Sequence, residues 1–260
     1  MKQRKHAHAT YLYCLVANER PPRLGRVRGL PGADRPRSLD AGRGLWLVAA
    51  DAPLNQYGAA AIERGLRTLD WVSACAVAHE AVVEECAKSG TVVPMKLFTL
   101  FASDERARAH IGRLRPKLER VLQRIQGCRE WGLRVHLDPQ RALAIAQRKA
   151  RRAAGPVSSG KSFLLRKKTE QEAKKNLGGL ARAQAGALYE QLARKARAAR
   201  RRLPPAGPIG ARLLLDAVFL VPEPRRDRFR AAADGAAERL EAQGYRVTLT
   251  GPWPPYHFVS

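Results

Sequence analysis

Between Pro139 and Leu203 the chain is built from little besides Ala, Leu, Lys, Arg, Gln and Glu, the strongest helix formers. Asp138 stands before Pro139 as an N-cap ahead of a first-turn proline, and Leu203-Pro204-Pro205 stops the run. A pause at Gly155-Pro156-Val157-Ser158-Ser159-Gly160 divides it. An apolar stripe reads at Ala173, Leu177, Leu180, Leu188 and Leu192, while Lys and Arg crowd the other faces. The pattern predicts two helices folded into a hairpin over 139–203. The second is long, held by a narrow seam and otherwise in water. Everything else has to fold as shorter elements on either side.

Those elements alternate. Tyr11 to Val16 is a continuous apolar and aromatic run, a buried strand, and Leu45 to Ala50 is a second. The Pro-, Gly- and Arg-rich residues 19–44 between them read as an exposed, mobile excursion. Helical patterning follows over 55–67 and again from Thr68, as N-cap, to Lys88. On the second helix Trp71, Cys75, His79, Val82 and Cys86 share a face. Thr91 to Phe101 reads as one strand in which Pro94 marks an edge, a bulge or the start. Ser103-Asp104-Glu105 caps a helix that Gly127 ends.

Cys128 to Leu137 alternates as a fourth strand. After the hairpin come a strand over 212–222, an amphipathic helix over 223–243 and a last strand over 245–250. The two halves read β-β-α-β-α and β-α-α-β-α-β, an α+β layout such as the ferredoxin-like one. The expected domains are 1–127 and 128–260, the second holding the hairpin and a Pro/aromatic tail over 251–260.

The formal charge of +25 and a pI near 11.0 mark a surface that attracts polyanions. Four cysteines without a CxxC pair fit a reducing cytosol. Cys75 and Cys86, on one helix, would sit roughly 16 Å apart, too far to bridge. No signal peptide and no run of about 18 apolar residues is found, so no membrane partner is expected.

Three chemistries are weighed. Cys75 and His79 have the spacing of two metal ligands on a helix, but no further Cys or His cluster completes a set, so a core stripe is expected and no metal. Gly155 to Ser162 fits GxxxxGK[ST], yet a charged helical segment precedes it where a phosphate-binding loop needs a buried strand. No nucleophile or paired-carboxylate motif stands out, so neither catalysis nor a cofactor is expected. The hairpin could track phosphates, but only Phe163 and Tyr189 offer rings there, which leaves non-specific, salt-dependent nucleic-acid binding as the alternative reading. Trp253, Pro254, Pro255, Tyr256 and Phe258 then close the chain with an extended, ring-rich tail. It is expected to fold back on its own sheet or to shape a surface for an extended partner.

Read in order, Tyr11-Leu12-Tyr13, Leu69-Asp70-Trp71, Ala78-His79-Glu80, Val93-Pro94-Met95-Lys96, Thr99-Leu100-Phe101, Glu130-Trp131-Gly132-Leu133, Ser159-Gly160-Lys161-Ser162-Phe163-Leu164 and Leu249-Thr250-Gly251-Pro252-Trp253-Pro254-Pro255-Tyr256 form a distinctive series. In it the chain resembles the gas vesicle accessory proteins GvpF and GvpL, over nearly its whole length. The resemblance implies two domains with modified ferredoxin-like sheets, the second carrying a long helical hairpin. It also implies a non-enzymatic assembly factor or minor component of the gas vesicle, in the cytoplasm. The implied partners are the shell protein GvpA and other gas vesicle accessory proteins; nucleic acid is not among them. The motifs do not separate F-type from L-type members. A charge of +25 exceeds what the family leads one to expect and points to an acidic partner protein, through contacts that salt would weaken.

Overall fold

The structure, a computed structural model of the full chain, describes residues 7–154, 160–202 and 212–259. The phosphate-loop look-alike at Gly155–Ser159 and the stop at Leu203-Pro204-Pro205 lie outside the described residues. The chain divides into two compact units, Met1–Gly127 together with Trp253–Ser260, and Cys128–Pro252.

In the first unit β1 (His8–Ala17) lies between β3 (Leu45–Pro53) on one side and β4 (Thr91–Pro94) and β5 (Leu100–Phe101) on the other, all antiparallel to it. Every side chain from Tyr11 to Val16 is fully buried, as a continuous apolar run in a central strand requires. The register of β1 against β3 slips between Leu12 and Cys14. That bulge puts Tyr11, Tyr13, Cys14 and Val16 into one core cluster, which strict alternation would have split. Helix α3 (Leu69–Ala87) covers them with Cys75, Val82 and Cys86 of the stripe read from the sequence, and with Val83 beside it. Short helices α1 (Leu54–Tyr57) and α2 (Ala59–Gly65) lead into it, broken at Gly58. Helix α4 (Asp104–Ile125) starts at Ser103, whose hydroxyl accepts from the Arg106 amide, and buries Ala107, Ile111, Leu118, Val121 and Ile125.

Two expectations need correction in this unit. The 19–44 excursion is pinned: Leu30 is buried with its amide donating to the Tyr13 hydroxyl at 2.9 Å, and the Tyr57 hydroxyl donates to the Pro31 carbonyl at 2.6 Å. It also contains β2 (Arg37–Asp40), paired with β3 and tied down by Arg37, which reaches Asp51 at 2.7 Å and Asp104 at 2.8 Å. The strand expected over 91–101 is two short ones, because Pro94 has no amide with which to continue the ladder.

The second unit runs β6 (Cys128–Leu137), α5 (Pro139–Ala154), α6 (Gly160–Ala193), β7 (Ala198–Arg201), β8 (Arg212–Pro222), α7 (Arg226–Glu241) and β9 (Tyr245–Trp253). Its sheet order is β7-β8-β6-β9. Trp131, Leu133, Val135 and Leu137 alternate inward from β6 onto Leu215, Ala217, Phe219 and Val221 of β8. Phe229, Ala233, Ala236 and Leu240 of α7 and Ala181, Ala185, Leu188 and Leu192 of α6 complete this core. Asp138 caps α5 by accepting from the Arg141 amide at 3.0 Å.

The hairpin differs from expectation in two ways. Helix α6 ends at Ala193, and the expected last helical residues turn back as β7 to pair with β8. The seam carries Ala181 and Ala185 inward and leaves Leu180 exposed at 62%. A helix that lies close on a sheet needs small side chains at its nearest points, so Ala181 and Ala185 join Leu188 and Leu192 on the buried face while Leu180 turns outward.

Candidate functional site

The motif residues of the first unit meet around the hydroxyl of Tyr11. It accepts the Phe98 amide at 3.4 Å and pairs with Nδ1 of His79 at 2.6 Å. Which of the two donates follows from the imidazole tautomer, and the ring is held neutral. Burial keeps the imidazole neutral, pushing His79 down to about 4 against a weaker backbone interaction with Met95. Burial also raises the Tyr11 and Tyr57 hydroxyls far above their ordinary range, and Tyr13 to about 12. None of these groups exchanges a proton near neutral pH, and together they form a rigid polar core. His79 is thus the hydrogen-bonded core histidine that the stripe suggested. Among the described residues no group of three or more His, Cys, Asp or Glu side chains is placed to hold a metal.

What this core supports is a wall. Phe98 has φ of +63°, a left-handed conformation that costs a non-glycine residue about 1–3 kcal/mol. Its ring stacks on Trp71 at 5.1 Å and 13°, and Trp71 stacks in turn near Tyr57 at 6.0 Å and 30°. Phe98 and Tyr57, with Leu54, Ile62, Leu100 and Phe101, line a largely apolar groove of about 520 Å³. Leu100 and Phe101 belong to β5, which pairs with β1. Of the seven large apolar side chains exposed among the described residues, six belong to this unit: Leu54, Leu66, Leu69, Val77, Leu114 and Trp253.

Of the tail expected over 251–260 with the second domain, residues 253–260 are part of the first unit. Pro254, Pro255 and Phe258 are buried, the Phe258 carbonyl accepts from Arg124, and the Tyr256 hydroxyl donates to the Glu80 carboxylate. Trp253 is 41% exposed. The five candidate residues therefore separate: four dock the tail and the indole faces solvent. The groove itself was missed by sequence reasoning. The Trp71–Cys75–His79 stripe was its only forward signal, since the φ of Phe98 leaves no mark in composition.

A family model described as gas vesicle synthesis protein GvpL/GvpF matches residues 9–260. The chain belongs to the GvpL/GvpF family. It is 30% identical over 233 residues to gas vesicle protein L of Streptomyces sp. (strain CB03234), covering 88% of this chain and 85% of that protein. The crystal structure of GvpF from Anabaena sp. PCC7120 matches with a TM-score of 0.68 at 17% identity, over 97% of this chain and 96% of the other. GvpF from Microcystis aeruginosa matches at 0.65 and 16%, over 97% and 99%. At such identities the two structures establish the fold, and family membership gives this GvpL/GvpF protein a role connected with gas vesicles. No described helix is long and apolar enough to cross a membrane.

Proposed function

We propose that this GvpL/GvpF protein is a non-enzymatic assembly factor or minor component of the gas vesicle, working in the cytoplasm. It binds the shell protein GvpA and other gas vesicle accessory proteins. The observation that carries the reading is the apolar groove of the first unit, walled by Phe98 and Tyr57 and floored in part by β5. In a chain of net charge +25, a groove lined mainly by apolar side chains, the exposed Leu54 among them, supports a contact surface. A subunit that polymerises into a water-excluding shell must carry apolar surface before it is incorporated, and a groove beside a strand can shield it. Trp253 adds a further exposed ring in the same unit, and is proposed as a partner contact. The buried Tyr11–His79 pair, with the imidazole held neutral, is read as part of the core and not as a reaction centre.

The test is capture of GvpA by the full-length protein, with and without nuclease, beside a Leu54→Asp/Ile62→Asp variant. We expect nuclease-resistant capture that falls about tenfold or more in the variant, in line with the loss of two buried apolar anchors. Capture abolished by nuclease would instead favour the non-specific nucleic-acid reading that the charge allows. Equal capture by the variant would remove the groove from the account.

A further inference from the structure

We propose that a basic groove in the second unit is the docking site for a carboxylate-rich peptide segment of a partner protein. The groove, of about 420 Å³, is lined by Gln191, Arg194, Lys195, Arg225 and Arg228. Arg194 and Lys195 follow the last turn of α6, where cations complement the helix dipole; Arg225 and Arg228 come from the start of α7 and the 3-10 turn before it. Two rigid elements thus hold four cations around one hollow.

Their counter-charges are spent elsewhere. Glu223 faces Arg129 at 3.4 Å and Arg226 at 3.8 Å, Asp227 faces Arg226 at 3.3 Å, Asp234 faces Arg230 at 3.6 Å, and Glu190 faces Arg201 at 3.3 Å. Among the described residues no carboxylate pairs with Arg194, Lys195, Arg225 or Arg228. The neighbouring arginines are neutralised and these four are not. Four like charges around a hollow repel one another, and an anion seated there relieves the repulsion.

The lining favours carboxylates on a peptide over a nucleic acid. It contains no aromatic ring on which a base could stack. Guanidinium forks accept carboxylates two oxygens at a time, and the Gln191 amide can meet a peptide backbone. The volume suits a few side chains, not a duplex. The choice of a protein as partner rests on the function proposed above; the anion site itself does not.

The experiment measures binding of a fluorescent oligoglutamate to the full-length protein by anisotropy, at about 50 and about 150 mM NaCl. One variant carries Arg194→Gln, Lys195→Gln, Arg225→Gln and Arg228→Gln. A control removes the same charge from the exposed hairpin residues, through Arg141→Gln, Arg148→Gln, Arg152→Gln and Arg182→Gln. We expect the groove variant to bind about tenfold more weakly or worse, and the control to lose less than about threefold. Equal losses would mean diffuse attraction and overturn the site. Tighter binding of a single-stranded oligonucleotide of equal charge, lost with the groove variant, would overturn the peptide assignment. In the unsubstituted protein, carbodiimide coupling of oligoglutamate should concentrate on Lys195; coupling spread over the hairpin lysines would also refute the site. No readout involves GvpA, so failure here leaves the shell-binding proposal standing, and the reverse.

Discussion

The two units share one strand plan and dress it differently. In each sheet the strands lie in the order second, third, first, fourth, as β2-β3-β1-β4 and β7-β8-β6-β9. This is a β-α-β-β-α-β type of arrangement in the second unit, and in the first the helix between the opening strands is missing. There, residues 18–36 are a Pro- and Gly-rich loop that cannot be helical; the equivalent connection in the second unit is the α5–α6 hairpin. The surfaces diverge too. From Cys128 to Pro252 there are 27 Lys and Arg against 11 Asp and Glu, while the remainder has 21 against 12 and carries six of the seven large apolar side chains exposed among the described residues. One strand plan used twice therefore carries an apolar groove in one unit and a cationic groove in the other. On the proposals above, the two grooves would serve different partners.

The sharpest way to break this comparison is to unseat the tail, which only the first unit has. Phe258 is 1% exposed, and Phe258→Ala should cost about 3–5 kcal/mol, the usual penalty for emptying a buried phenylalanine site. Hydrogen exchange read by mass spectrometry should show protection falling in β1 and β3 and holding in β6 and β8. Equal loss in both units would show that the tail does not belong to the first.

Next in size is a pH effect, again confined to the first unit. Unfolded, the His79 imidazole takes a proton near 6.5; folded, it does so only at about 4. Between those values the unfolded chain binds more protons. Its contribution is whole above pH 6.5 and is lost as the pH falls through 4, up to about 3 kcal/mol. In the second unit His136 is also held below its ordinary range, by burial first and then by Arg246 and Arg134, but it is only partly buried, so acid should loosen the first unit earlier. Denaturant midpoints across this range, for the wild type and His79→Gln, check it: the variant keeps a hydrogen-bonding side chain beside Tyr11 and should lose the slope.

How much of this was legible in the sequence varies by element, and the reasons are physical. Tyr11–Val16, the α3 stripe and the β6 alternation were readable because burial there follows a local period. The edge strands β2 and β7 were not. Arg37-Ser38-Leu39-Asp40 has little β character, and Ala198-Ala199-Arg200-Arg201 has strong helical propensity, so each owes its conformation to pairing with β3 or β8. The tail follows β9 in sequence, so its return to the first unit depends on Phe258 and Tyr256 finding places far away in the chain. The site was legible only as motifs. Tyr11, Trp71 and His79 could be named, but that they brace Phe98 and so open a groove is a fact of three dimensions.

The smallest predicted effect tests how the second unit seats its hairpin. Hydrophobicity alone selects Leu180 as a seam residue, and the fold turns it outward at 62% exposure while Ala181, the next residue, is fully buried against the sheet. Leu180→Glu should therefore change stability by no more than about 0.5 kcal/mol, the range of ordinary surface substitutions. Differential scanning calorimetry of the variant would show a melting temperature close to that of the parent. A loss of several kcal/mol would put Leu180 inside and rotate α6 about its axis. Such a rotation would also swing Arg194 and Lys195 away from Arg225 and Arg228. The cationic half of the comparison thus depends on the α6 face of Ala181, Ala185, Leu188 and Leu192, and not Leu180, lying against the sheet.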